Sequence, residues 1–154
     1  MKISFKTKIA FGVACAAALG ALAVPAYAQF AKSEDAIKYR QAVFTLQGNH
    51  LARLGAMAKG EKPFNAAEAK VSADFIAELS KMPWEAFPVG SGGAPAKLKA
   101  DPWASAAEFK GLQDKFIAEA AKLPAAVATL DGLRAQVGAT GGSCKNCHDK
   151  YRGQ

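Results

Sequence analysis

The feature that most constrains this chain is a pair of cysteines followed at once by a histidine, close to the C-terminus. Cys144 and Cys147 are three positions apart, and His148 follows directly. On an α-helix, residues three and four positions apart lie on one face, so both thiols and the imidazole would point the same way. The spacing therefore predicts a helix that presents all three side chains to one ligand.

Three kinds of site use such a motif: a covalently attached haem, a redox-active thiol pair and half of a zinc site. A redox-active pair normally opens a helix beside a strand, and no strand pattern is present. A structural zinc ion needs four ligands, and from residue 29 onward the chain has no other cysteine and only His50 besides. C-x-x-C-H is the attachment motif of c-type haem. We predict one haem c bonded to Cys144 and Cys147, with His148 as the axial iron ligand.

The N-terminus is typical of an export signal. A lysine-rich head precedes the apolar run Ile9–Val24, and the small residues before and at Ala28 fit an A-x-A cleavage site. A retained membrane anchor is disfavoured because a span needs about 20 apolar residues, and a lipid anchor because Cys15 lies in the middle of the run. We therefore predict a cleaved signal peptide over 1–28, a single domain over 29–154 and a periplasmic location.

Charge excludes one class of function. The net charge of +7 falls by three when the lysines of the signal are removed. No run of Lys or Arg is interleaved with aromatic residues, so no nucleic-acid partner is expected. No membrane association is expected after cleavage either.

Apolar residues recur at helical spacing in the first half of the domain. Ser33 is a candidate cap for a first helix that ends at Gly60. Asn65 and Glu68 form a capping box for a second helix, which Pro83 ends. The inward face predicted for the second helix comprises Val71, Phe75, Leu79 and Met82.

The second half gives two more helices after a Pro- and Gly-rich connection from Pro83 to Asp101. A third helix begins between residues 101 and 105 and should end or kink at Pro124. Its inward face comprises Phe109, Leu112, Phe116 and Ala120. The fourth runs from about Asp131 to Tyr151 and carries the motif. Four amphipathic helices, three of them joined by short loops, predict an all-α, antiparallel up-down-up-down bundle.

These features together resemble the cytochrome c′ family, and the resemblance covers essentially all of residues 29–154. It is carried by Gln29-Phe30-Ala31-Lys32, Tyr39-Arg40-Gln41, the stretch Leu79–Phe87 with its Pro-Trp pair, and Cys-Lys-x-Cys-His-Asp-x-Tyr-Arg at the end. The resemblance implies a periplasmic, usually dimeric protein whose five-coordinate haem binds nitric oxide and carbon monoxide.

The resemblance also implies further contacts to the haem. Arg40 and Gln41 match positions near the propionates, and Phe44 matches the position over the open iron face. The remaining matches are aromatics beside the ring and a basic residue near the axial histidine: Trp84, Phe87 and Arg152. The loop from Val89 to Trp103 looks longer than in the family, so contacts from it are not carried over.

The second axial position decides the function, because a second protein ligand would make an ordinary electron carrier and an empty position would bind small gases. If Phe44 covers the iron, Met57 is roughly 20 Å further along the helix and His50 points well away from the haem face. Met82 ends the second helix. We therefore predict an empty sixth position. Phe44 itself has two interpretations: a core aromatic residue, which general burial statistics favour, or a cover over the iron, which the resemblance favours.

The function predicted is binding of nitric oxide, and of carbon monoxide more weakly or not at all, with a haem-redox role. The alternative is a one-electron carrier with an unidentified redox partner. An oxidoreductase is less expected because no distal acid–base pair is evident, so no catalytic residue is assigned and the protein is predicted not to be an enzyme. Resting mainly on the resemblance, we also predict a homodimer formed through surplus apolar or small residues of the first two helices, such as Val43, Leu46 and Ala73.

Overall fold

The computed structural model describes residues 29–93, 96 and 98–153. Its helices are α1 (Ser33–Lys59), α2 (Ala66–Leu79), α3 (Ala106–Ala126) and α4 (Leu130–Tyr151), with a 3₁₀ turn over Pro83–Ala86 after α2. Extended pairing among these residues is confined to one isolated bridge, between Leu98 and Arg152. The signal peptide predicted over 1–28 lies outside the described residues. None of the helices described is both long and apolar enough to cross a membrane.

The helices form a closed bundle in chain order. α1 packs on α2, α2 on α3 and α3 on α4, and α4 closes the ring against α1. The turns between α1 and α2 and between α3 and α4 are short, so these neighbours run antiparallel. The prediction of an all-α up-down-up-down bundle is confirmed.

The ends of the helices follow local chemistry. Asn65 caps α2 by accepting a hydrogen bond from the backbone N–H of Glu68, as predicted. Gly60 ends α1 in the left-handed region, with φ of 79°, where glycine is favoured. The prediction of Ser33 as a cap is wrong, because Ser33 is already helical and Lys32, which precedes it, makes no side-chain cap bond. α3 ends two residues after Pro124.

The inward face predicted for α2 is wrong. Three of its four residues are exposed: Val71 by 55 %, Phe75 by 51 % and, just after the helix, Met82 by 40 %. The fourth, Leu79, is half-buried. The buried residues are mostly small: Ala69, Ser72, Ala73 and Ile76. Small side chains let α2 pack closely between α1 and α3. The predicted face was therefore wrong because it was chosen from the large apolar side chains of α2.

Two of the residues predicted at a dimer surface are also misplaced. Val43 and Ala73 are buried within the chain's own core, whereas Leu46 is 49 % exposed. A second copy could therefore reach only Leu46 of these three residues.

The apolar core lies towards one end of the bundle. It joins the later part of α1, the middle of α2, the later part of α3 and the start of α4, through Leu54, Met57, Ile76, Leu123, Val127 and Leu133. The other end holds the beginning of α1 and α3, the last turns of α4 and the connection between α2 and α3. These segments surround a cavity.

Candidate functional site

A cavity of about 980 Å³ lies between α1, α3, α4 and the connection after α2. Every site residue predicted from the sequence lines it: Arg40, Gln41, Phe44, Trp84, Phe87, Cys144, Cys147, His148 and Arg152. Residues more than a hundred positions apart in the chain thus meet in one space of a size suited to a large ligand.

One wall of the cavity is the end of α4. Cys144, Cys147 and His148 are half-buried there and line the cavity together, as their helical spacing requires. Burial raises the pKa of the Cys144 thiol, and burial followed by the charge of Cys144 raises the pKa of Cys147 to about 11. Both thiols are therefore protonated near neutral pH.

These properties argue against the two alternatives for the motif. Reactive cysteine pairs have a lowered thiol pKa and sit at helix N-termini, whereas this pair has raised pKa values in the last turns of α4. Within the ranges described, no group of three or more His, Cys, Asp or Glu side chains is placed to hold a metal ion. The motif is arranged to face a ligand in the cavity.

His148 is suited to coordinate a metal carried by such a ligand. Burial lowers the pKa of its imidazole, the positive charge of Arg152 lowers it further, and Asp149 opposes the shift. The ring is therefore neutral at pH 7, the form that binds metals.

Aromatic side chains form another part of the cavity lining. Trp84 is at their centre, with ring centroids 5.9 Å from Phe44, 6.2 Å from Phe87 and from Phe109, and 6.3 Å from Phe116. The indole N–H of Trp84 donates to the Ser80 carbonyl at 2.7 Å, which fixes the ring. Phe109 and Phe116 were predicted only as the inward face of α3. Their helical spacing with Leu112, which also lines the cavity, was the signal that could have assigned them to the site.

Phe44 and His148 both line the cavity, and their rings lie close together there. Their ring centroids are 6.3 Å apart and their planes are inclined by 82°. Phe44 is half-buried and makes edge contacts with Trp84 and Phe87, at 5.9 and 6.5 Å. Two aromatic neighbours therefore hold its ring near the imidazole.

Arg40 has partners that the sequence did not predict. The guanidinium is buried and donates to the Ala86 carbonyl, the Ser91 hydroxyl and the Ser91 carbonyl, at 2.7, 2.7 and 2.5 Å. It also lies 4.4 Å from the ring centroid of Phe87. Burial lowers the pKa of Arg40 to about 10, so it is still charged at neutral pH. Arg40 therefore fastens the connection after α2 to α1 at the cavity.

The long connection itself closes one edge of the cavity. The indole N–H of Trp103 donates to the Phe87 carbonyl at 2.9 Å. The backbone N–H of Lys99 donates to the Tyr151 carbonyl at 2.9 Å, and its ammonium to the Asp149 carbonyl at 2.6 Å. The neighbouring Leu98 lines the cavity. Because these bonds satisfy carbonyls at the end of α4, the loop and the motif are held together.

None of the candidates for a second axial ligand lines the cavity. Met57 belongs to the apolar core, and Met82 is exposed after α2. His50 stacks on Phe75 with centroids 4.8 Å apart, and its Nδ1 lies 3.3 Å from the Ser72 hydroxyl. Among the residues described, His148 is the only imidazole or thioether side chain at the cavity.

Comparison with known proteins gives a consistent result. A family model described as Cytochrome C′ matches residues 35–152. Cytochrome c′ of Rubrivivax gelatinosus is 46% identical over 127 residues, which cover 80% of this chain and 98% of the relative.

Two solved structures of cytochrome c′ variants from Alcaligenes xylosoxidans also match. One is the carbon-monoxide-bound form of a leucine-to-glycine variant, with TM-score 0.76, 42% identity and coverage of 82% of this chain and 100% of that chain. The other is the nitric oxide complex of a leucine-to-alanine variant, with TM-score 0.76, 42% identity and coverage of 82% and 99%.

Proposed function

The chain belongs to the cytochrome c′ family, and from that premise we propose that it is a periplasmic haem protein that binds nitric oxide at an open iron position. Proteins of the family bind a covalently attached haem c. The proposal extends this to the ligand, the location and the residues that hold the group.

The cavity fits a haem by the chemistry of its walls. Cys144 and Cys147 offer protonated thiols side by side for thioether bonds, and the neutral imidazole of His148 is placed to ligate iron. Aromatic rings supply much of the remaining lining, and Arg40, Gln41 and Arg152 supply polar groups. Three of the five N–H groups of a guanidinium hold the loop at Arg40, which leaves two to meet a propionate.

The main support for an open iron position is that none of Met57, Met82 and His50 lines the cavity. The Phe44 ring instead lies there, 6.3 Å from the His148 ring. When bound, the haem supplies an iron that can coordinate a diatomic gas. Phe44, which donates and accepts no conventional hydrogen bond, keeps water away from that face and narrows the space over it. The solved relatives include a nitric oxide complex and a carbon-monoxide-bound form, which supports a gas as the ligand.

A spectrum of the reduced holoprotein, with and without nitric oxide, tests the proposal. We expect a high-spin ferrous spectrum that changes when nitric oxide is added. Met82→Leu should leave both spectra unchanged, because Met82 lies outside the cavity. A low-spin ferrous spectrum that nitric oxide does not alter would refute the open position.

A second candidate is one-electron transfer to a redox partner. It is favoured by the half-buried state of the motif and the exposure of Arg152 beside it, which place one side of the cavity near the surface. The same low-spin, nitric-oxide-insensitive spectrum would support this candidate over gas binding.

We also propose a homodimer, through a face corrected from the structure. Leu46 of α1 and Val71 and Phe75 of α2 expose large apolar side chains on adjacent helices, and exposed apolar surface of this kind is typical of an interface. Light scattering of the holoprotein should give twice the mass of the mature chain, and Phe75→Lys should give the monomer. A monomeric parent protein would refute the dimer.

A further inference from the structure

Gly48 contributes no side chain to the part of α1 that lines the cavity next to Phe44. It lies one helical turn after Phe44 in α1, lines the cavity and is exposed. A Cβ atom placed on Gly48 would meet no other atom within 4 Å. Thr45 and Gln41 share both properties, since they line the cavity and are exposed. This stretch of α1 is therefore a rim where the cavity meets solvent.

The geometry of a helix explains why the glycine matters to Phe44. A helical side chain leans towards the N-terminus and covers the surface over the preceding turn. A side chain at position 48 would thus cover the surface next to the Phe44 ring. Trp84 and Phe87 contact that ring, with centroids 5.9 and 6.5 Å from it. With glycine at position 48, no side chain of that residue covers this surface.

We propose that Gly48 keeps open the route by which a neutral diatomic gas reaches the iron face beneath Phe44, so that residue 48 sets the rate of ligand entry. The inference rests on the proposed function, because it assumes a haem ligated by His148. The route suits an uncharged molecule. Thr45 uses its hydroxyl to donate to the Gln41 carbonyl at 2.8 Å, and the next cavity-lining residue along α1, Leu51, is apolar.

Stopped-flow uptake of nitric oxide by the ferrous holoprotein tests the route. The variants are Gly48→Ala and Gly48→Leu, with Gly55→Ala and Gly55→Leu as matched controls. Gly55 lies in the same helix and also has open space around its Cβ position, but it does not line the cavity. We expect Gly48→Leu to slow uptake about tenfold or more, within the range over which single changes alter association rates. Gly48→Ala should slow it less, and the Gly55 variants should match the parent.

Carbon monoxide binding distinguishes an effect of residue 48 on ligand entry from an effect on the bound ligand. In a Phe44→Ala background, Gly48→Leu should slow association and dissociation of carbon monoxide by the same factor and leave the equilibrium affinity unchanged. A loss of affinity with unchanged association would overturn the proposal, because residue 48 would then act on the bound ligand.

The outcomes distinguish this inference from the function on which it rests. If nitric oxide alters the spectrum normally and Gly48→Leu takes it up as fast as Gly55→Leu, only the route is refuted. If nitric oxide alters no spectrum, the proposed function fails and the route fails with it. Should Gly48→Leu not fold, Gly48→Ala decides, since an uptake rate equal to that of Gly55→Ala would overturn the proposal.

Discussion

Replacing Phe44 with alanine should raise the affinity of the ferrous protein for carbon monoxide. The Phe44 ring lies 6.3 Å from the His148 ring, so if His148 ligates the iron as we propose, a gas that approaches on the side of Phe44 would have to displace the phenyl ring. Carbon monoxide depends on that approach because it binds ferrous iron without driving off the axial histidine. Alanine removes the ring and with it the obstruction.

The structure gives the size of the effect. Moving the ring breaks its edge contacts with Trp84 and Phe87. Each aromatic pair is worth about 0.5–1.5 kcal/mol, so the two together oppose the ligand by about 1–3 kcal/mol. This corresponds to an affinity gain of about 5- to 150-fold. Full burial of a phenylalanine would make truncation cost about 3–5 kcal/mol, and half-burial lowers the expected loss of stability to about 2 kcal/mol.

The assay is equilibrium titration of the ferrous holoprotein with carbon monoxide, followed in the Soret band. Phe116→Ala is the matched control, because it removes another cavity-lining ring that contacts Trp84 but has no ring contact with His148. Equal gains from both variants would show that cavity volume alone matters. If the parent already binds carbon monoxide tightly and Phe44→Ala changes nothing, Phe44 is only a core residue.

Other predictions follow from the same structure. The intact mass should equal the chain from residue 29 plus one haem, and free thiols or a retained leader would contradict attachment or cleavage. Burial lowers the pKa of His50, so its ring is neutral beside the proposed dimer face and gains charge as the pH falls below 6.5. Light scattering should then show a dimer that weakens on acidification, whereas His50→Gln should remove this pH dependence. Gly138→Ala should stabilise α4 by about 1 kcal/mol in urea unfolding. Gly132→Ala should destabilise the protein, because its Cβ would lie 2.2 Å from a backbone oxygen.

The sequence predicted the features that depend on local pattern. Cys144, Cys147 and His148 needed only a helix to share a face, and α4 supplies it from Leu130 to Tyr151. The turn between α1 and α2 was visible because Gly60 and Asn65 carry strong local signals. Such preferences act over about one helical turn, so they can be recognised in the sequence without knowledge of the tertiary contacts.

Features that depend on distant partners were not predictable. Arg40 is fixed by Ala86 and Ser91, about fifty positions later in the chain. Lys99 fastens the connection to the end of α4 through two backbone carbonyls. The rotation of α2, which exposes Phe75, depends on how closely its small residues approach α1 and α3. In each case the contact depends on which distant residues the tertiary packing brings together, and a local sequence pattern does not contain that information.

The part of α4 that runs from Gly138 to Tyr151 carries the motif and also contains three glycines, which disfavour a helix. Gly138, Gly141 and Gly142 each cost about 1 kcal/mol relative to alanine in a helix interior. The hydroxyls of Thr140 and Tyr151 are buried without a hydrogen-bond partner among the described residues, and such groups cost about 1–3 kcal/mol each. The apolar core does not compensate directly, because it meets α4 chiefly in its first turns. A ligand bonded to the last turns would stabilise this segment where the chain's own packing does least. The residues proposed to hold the haem would therefore also keep the end of α4 helical.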